Sequence, residues 1–230
     1  MIEVVDRVLA LTGRGHPVRV GVDGRSAAGK TTFADGLARA LSGRAEAEGP
    51  ERALGGRAEA DGSARALSGR EVIRAELDHF MRMVEDRDAY PYDSPESYYL
   101  DSWDYPAIRR LLLEPLGPDG DRRYRAGPTM PDAVAGEDAV LVADGVFLQR
   151  PEMDAYWDLR IYLDVSLEES LRRGVERDQH WMGSAAEAEA RYRGKYLPGE
   201  ERYLAEMRPW ERAQIVIDNS DPARPRLIRS

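Results

Sequence analysis

The stretch VRVGVDGRSAAGKTTF, residues 18–33, constrains the fold of this chain more than any other. Its alternating valines, Val18, Val20 and Val22, read as a strand. From Lys30 to Leu41 the apolar positions Phe33, Ala34, Leu37, Ala38 and Leu41 recur on one face, as in a helix. Between the two, Gly24, Gly29, Lys30 and Thr31 satisfy G-x-x-x-x-G-K-[ST], after a strand and opening a helix, which is the context that pattern needs.

The residue types have a physical reason. Glycines let main-chain N–H groups curl around phosphate oxygens, and the helix N-terminus adds partial positive charge. Lys30 can reach the β and γ phosphates, and Thr31 offers a hydroxyl to Mg²⁺. The loop residues expected to bind a nucleoside triphosphate are Gly24, Arg25, Ser26, Ala27, Ala28, Gly29, Lys30, Thr31 and Thr32.

Charge narrows the partners. The chain carries 33 basic and 42 acidic residues, a formal net charge of -9. That balance argues against a general nucleic-acid or anionic-membrane surface, since both need an excess of Lys and Arg. Without cysteine, disulfides and thiolate metal sites are excluded. No apolar run reaches membrane-spanning length, and Glu3 and Asp6 interrupt the start where a signal peptide would need a basic end and an apolar core; the chain reads as cytoplasmic. Of the 33 basic residues only Lys30 and Lys195 are lysines, which singles out Lys195 as well.

Further along, EVIRAEL leads to Asp78, AVLVA to Asp144, LRIYL to Asp164 and QIVI to Asp218. Apolar runs ending in an acid suit parallel strands whose carboxyl ends share a crevice. With the first strand they make five, alternating with helices. One helix is expected over Ile2–Leu11, another at about Ala107–Leu116, and Ser166 with Glu169 forms a capping box that opens a third. A 13-residue repeat begins at Ala40, Ala53 and Ala66; its units offer only Ala and Leu for burial, so residues of about 42–68 read as a tandem-duplication insert in a single domain rather than a solenoid.

No guanine-reading N-K-x-D or T-K-x-D occurs, and AVLVA ends in Asp144-Gly145 without the acidic pair of a motor ATPase. GVDGRSAAGKTTFADGLARAL, LDHF, WDYP, VADGVFL, RRGVERD and RPWERAQIVIDNSD together resemble the uridine kinase and phosphoribulokinase family of P-loop kinases, across most of the chain apart from the repeats and the first helix. The resemblance implies an α/β three-layer sandwich, a parallel five-stranded sheet in the order 2-3-1-4-5 with helices on both faces, and a lid at about 179–198. It also implies transfer of the γ-phosphate of ATP, with Mg²⁺, to a hydroxyl of a small molecule, a pyrimidine nucleoside being favoured. Pantothenate, a sugar phosphate or a natural product stay open as acceptors, as do a nucleotide-binding regulator with little turnover, an NTP hydrolase and a homo-oligomer.

The resemblance also assigns roles. Asp78 accepts the proton of the attacking hydroxyl, or else caps the next helix; Phe80 lies beside it at the acceptor. Trp103 stacks on the acceptor and Asp104 bonds a diol, or Trp103 packs the loop and Asp104 caps the helix at Pro106. Asp144 stands where the family usually has Glu, and either supports Mg²⁺ beside Thr31 or hydrogen-bonds the loop. Arg173 and Arg177 stand four apart where the family's lid arginines are three apart; either they contact the transferring phosphate or they form a solvated face of Glu–Arg pairs. Tyr124 touches the acceptor or sits in an exposed basic turn, and Lys195 contacts phosphate or belongs to a solvated cluster.

Overall fold

The computed structural model describes residues 1–43 and 69–230, and the expected repeat insert lies almost wholly outside them. The chain opens with α1 (Ile2–Leu9), β1 (Val18–Gly24) and α2 (Lys30–Leu41), as the hydrophobic spacing predicts. β2 (Val72–Glu76) follows, then a π-helical turn (Ser97–Asp101) and α3 (Tyr105–Ile108), which runs on as a π turn through Leu113. The helix expected at 107–116 thus starts earlier, because Asp104 caps it by accepting the Ala107 N–H at 2.8 Å. Next come a hairpin of β3 (Arg123–Tyr124) and β4 (Ala133–Val134), then β5 (Val140–Asp144) and β6 (Leu159–Asp164). α4 (Leu167–Met182) opens on the Ser166 cap, whose hydroxyl accepts the Glu169 N–H. α5 (Ala185–Arg191), a π segment (Tyr192–Tyr196) and α6 (Leu197–Met207) are continuous, and α7 (Pro209–Arg212), β7 (Ile215–Asp218) and β8 (Arg226–Arg229) complete the chain.

The main sheet runs β2-β5-β1-β6-β7-β8. Its first five strands are parallel, and taken in chain order they give the expected 2-3-1-4-5. The sixth, β8, corrects the strand count: it pairs antiparallel with β7, and all four of its residues are exposed. A short outer strand with no buried face leaves no hydrophobic alternation to read.

β1 lies at the centre and is buried along its whole length, because helices cover both faces. One face shows Val18, Val20 and Val22, which pack with Val4, Val5 and Val8 of α1 and with Phe33, Leu37 and Leu41 of α2. The opposite face reads Arg19, Gly21, Asp23. Arg19 is held by Asp158 through both its main-chain N–H (2.8 Å) and its guanidinium (3.0 and 3.2 Å). Gly21 leaves room for the Trp157 indole, which a Cβ would meet at 2.9–3.1 Å, while Trp157 Nε1–H donates to the Leu148 carbonyl at 2.8 Å. Trp157 belongs to the second core, with Ile108, Leu112, Leu113, Leu141 and Phe147.

The contact between Gly21 and Trp157 is testable. Gly21→Ala is expected to lower the free energy of unfolding by about 1–3 kcal/mol, since an added methyl in a filled core forces side chains off their rotamers. Urea denaturation monitored by tryptophan fluorescence measures it, and an unchanged midpoint would show that the indole yields without cost.

Candidate active site

The parallel strands bring their carboxyl ends to one crevice of about 580 Å³. In register, Val22 lies beside Asp144, which itself pairs with Glu76, so the ends of β1, β5 and β2 meet there. The loop from β1 to α2 forms its floor: Ser26, Ala27, Gly29, Lys30, Thr31 and Thr32 line the crevice. Gly24, Arg25 and Ala28 do not; Ala28 is packed in the core, and Arg25 turns toward Glu200, 3.9 Å away.

Positive φ at Ala27 (55°) and Gly29 (85°) curls this loop into a concavity. Its carbonyls are tied elsewhere. Lys30 Nζ donates to Arg25 O (2.7 Å), Ser170 Oγ–H to Ser26 O (2.7 Å), Asn219 Nδ2 to Ala28 O (2.6 Å) and the Phe33 N–H to Gly29 O (3.0 Å). The first amides of α2, at Lys30, Thr31 and Thr32, have no acceptor within the helix and form an anion-binding end. Burial pulls the Lys30 ammonium below the usual lysine value, and the charges of Glu200, Asp78, Asp144 and Asp23 oppose that shift.

Beside the loop, Thr31 Oγ1–H donates to Asp144 Oδ2 at 2.7 Å. Arg74 fixes the other oxygen, Oδ1, at 2.8 Å, and is itself held by Asp35 at 2.8 Å. This hydroxyl and carboxylate form an all-oxygen donor pair, which fits Mg²⁺ bound largely through phosphate and water. Among the described residues no cluster of three His, Asp or Glu side chains forms a separate metal cage.

Across the crevice Asp78 sits in a 3₁₀ turn (Leu77–Phe80) directly after β2, with its side chain exposed. It caps no helix, and its carboxylate makes no hydrogen bond among the described residues. Trp103 lines the same wall, 5% exposed, with its ring edge-on to Tyr98 and Phe147 at 5.5 Å each. From α4, Arg173, Arg177 and Trp181 line the crevice at four-residue spacing. Arg173 is bound by Glu169 (2.6 Å) and by the carbonyls of Asn219 and Ser220, and Arg177 by Asp178 (2.7 and 3.0 Å). Arg173 thus forms a Glu–Arg pair while lining the crevice, and the neighbouring exposed Arg172 bonds Glu169 and Glu176.

Four expected acceptor contacts are placed elsewhere. Phe80 is wholly buried in the core and backs the Asp78 turn. Asp104 is engaged as the cap of α3 and does not line the crevice. Tyr124, in the β3–β4 hairpin, packs half-buried on the core away from the crevice. Lys195 is 4% exposed, donates to the Tyr92 carbonyl, lies 3.7 Å from the Tyr92 ring centroid and does not line the crevice. Desolvation lowers its ammonium to about 8. Conversely, Glu200, Asn219, Ser170, Tyr98 and Arg74 hold the site and carry no local motif; only the NSD following β7 hints at Asn219.

Behind the loop, Asp23 accepts from the Gly24 N–H (2.8 Å), Gln149 Nε2 (3.2 Å) and Tyr203 Oη. Burial outweighs these bonds and raises its carboxyl from 3.8 to about 6. A raised carboxyl favours the folded state most when protonated, so its contribution is complete below pH 3.8 and is lost as pH rises through about 6. Relative to Asp23→Asn, the parent chain is therefore expected to lose roughly 2 kcal/mol of stability between pH 4 and pH 7. Paired urea titrations across that range measure the difference; a constant gap would mean Asp23 titrates normally.

No protein-family model matches the sequence, and no curated protein matches it. Solved structures do. A possible uridine kinase from Bacillus stearothermophilus superposes with a TM-score of 0.63 at 19% identity, covering 94% of this chain and 95% of that one. A protein provisionally named a fructose transport system kinase, from Silicibacter sp. TM1040, superposes with a TM-score of 0.63 at 22% identity, covering 88% and 93%. At these identities the likeness is one of architecture: the chain has a uridine kinase-like P-loop kinase fold.

Proposed function

We propose that the chain is a phosphotransferase that moves the γ-phosphate of ATP to a hydroxyl of a small molecule, a pyrimidine nucleoside before other acceptors. The observation that carries this reading is Asp78: an exposed carboxylate without a hydrogen-bond partner, in the same crevice as Lys30, Thr31 and Asp144. A loop that only binds nucleotide has no use for such a group, whereas an attacking hydroxyl needs an acceptor for its proton and an orientation for in-line attack.

The chain's own residues divide the work. The loop amides and Lys30 hold the polyphosphate, and Thr31 with Asp144 would hold Mg²⁺. That ion, when bound, supplies charge neutralisation at the phosphate oxygens. Arg177, exposed on α4, offers a planar guanidinium that can exchange Asp178 for the transferring phosphate, with Arg173 one turn behind it. Residues 179–198 act as the lid that keeps water from competing with the acceptor. The acceptor wall of Glu76, Asp78, Met81, Tyr98, Trp103 and Val146 holds no cation, which favours an uncharged acceptor with a flat apolar face over a sugar phosphate or pantothenate. One solved neighbour is named a possible uridine kinase, in agreement with this choice. A regulator with little turnover is the second reading, favoured by the engagement of Arg173 and Arg177 with carboxylates.

ADP release in the presence of Mg²⁺ and a panel containing uridine and cytidine decides between them. Stimulation by one acceptor is expected, and Asp78→Asn should reduce it by on the order of 100-fold or more with ATP binding intact. ATP binding without any acceptor-stimulated release would select the regulator, and release independent of the panel would select a hydrolase.

A further inference from the structure

Glu200, in the first turn of α6, is one of the most buried charged residues among those described, 2% exposed, and the proposed phosphotransfer gives it no task. Its Oε1 accepts the Ser26 N–H of the phosphate loop at 2.9 Å. Its Oε2 has no hydrogen-bond partner and lies 3.9 Å from Arg25 Nη1, which also lacks one. The same serine is held at two further atoms: its Oγ lies 3.1 Å from Tyr98 Oη, and its carbonyl accepts from Ser170. Helix α6 can come this close because residue 199 is glycine; a Cβ there would meet the Tyr98 ring at 2.9 Å and the Pro95 carbonyl at 3.1 Å. One turn on, Tyr203 from the same helix bonds Asp23, which caps the Gly24 amide.

A buried carboxylate with one oxygen unsatisfied is costly, and packing alone would be served better by an apolar side chain. What the carboxylate does is accept the Ser26 N–H, tying this loop amide to α6. Ser26 precedes the curl at Ala27, so the direction of its peptide sets where the following amides aim.

We propose that Glu200 is a positioning residue for nucleotide binding, acting through its hydrogen bond to the Ser26 amide, which holds the phosphate loop in its receptive shape from the helix that continues the lid segment. The inference rests on the nucleotide-binding part of the reading above and is independent of the acceptor. The proposal assigns the effect on nucleotide affinity to that bond rather than to the charge.

Two substitutions separate those contributions. Glu200→Gln keeps a side-chain oxygen within reach of the Ser26 N–H and removes the charge; Glu200→Asp keeps the charge and, one methylene shorter, loses the reach. Calorimetric titration of the full chain with ATP and with ADP, at millimolar Mg²⁺, is expected to give Glu200→Gln an affinity within about threefold of the parent, and Glu200→Asp one weaker by about tenfold or more for both nucleotides. Melting temperatures of the free proteins are read alongside, since a structural role alone would lower them without moving affinity. Equal affinities for all three proteins, or a loss in Glu200→Gln with none in Glu200→Asp, overturn the proposal while nucleotide binding stands. No heat with the parent chain overturns both. Should Glu200→Asp not fold, Tyr98→Phe with Ser170→Ala serves as the second arm: these loosen the other two holds on Ser26, and the proposal requires that adding Glu200→Gln to them leave affinity unchanged whereas adding Glu200→Ala lower it.

Discussion

Main-chain polar groups must be paired, and in this molecule that requirement shapes the site. Four carbonyls of the loop between β1 and α2 are bound, by Lys30, Ser170, Asn219 and the Phe33 amide. With those carbonyls committed, the N–H groups at the N-terminus of α2 are left to meet an anion. The anion site is thus a consequence of where the carbonyls go. Its supports come from α4, from the residue after β7 and from α6, so the loop keeps its shape only if those three parts of the chain are folded around it.

The charge in the crevice follows from the same geometry. Parallel strands deliver Asp23, Asp144 and the turn holding Asp78 to a single edge, and α6 adds Glu200. Lys30 stands among these acids with its ammonium destabilised by burial. Each acid is handled differently. Asp144 is neutralised by Arg74, Asp23 is buried and raised to about 6, Glu200 bonds the loop, and Asp78 is left free. Different environments give similar side chains distinct tasks, the general basis on which titratable groups in one site are separated.

Much of this was legible beforehand because it depends on short-range patterns. The loop, the Ser166 cap and the strand leading to Asp78 follow from local residues, whereas the strand order came only from the family resemblance. Contacts on the acceptor side were less legible. Asp104 and Trp103 are neighbours in sequence, yet one caps a helix and the other lines the crevice, since successive residues at a turn point in different directions. Lys195 drew notice for its rarity, but a π segment turns it onto Tyr92. Scarcity of a residue type carries no direction in space.

By itself the sequence determined the phosphate loop, the parallel sheet and the acids at the strand ends, because glycine conformation, hydrophobic period and helix capping act over a few residues. Only the tertiary structure decided which side chains hold that loop. Glu200 lies 174 residues beyond Ser26, Asn219 lies 191 beyond Ala28 and Ser170 lies 144 beyond Ser26. Hydrogen bonds over such separations have no period and no motif; they exist because the sheet brings distant chain segments to one edge, where each buried polar group must find a partner.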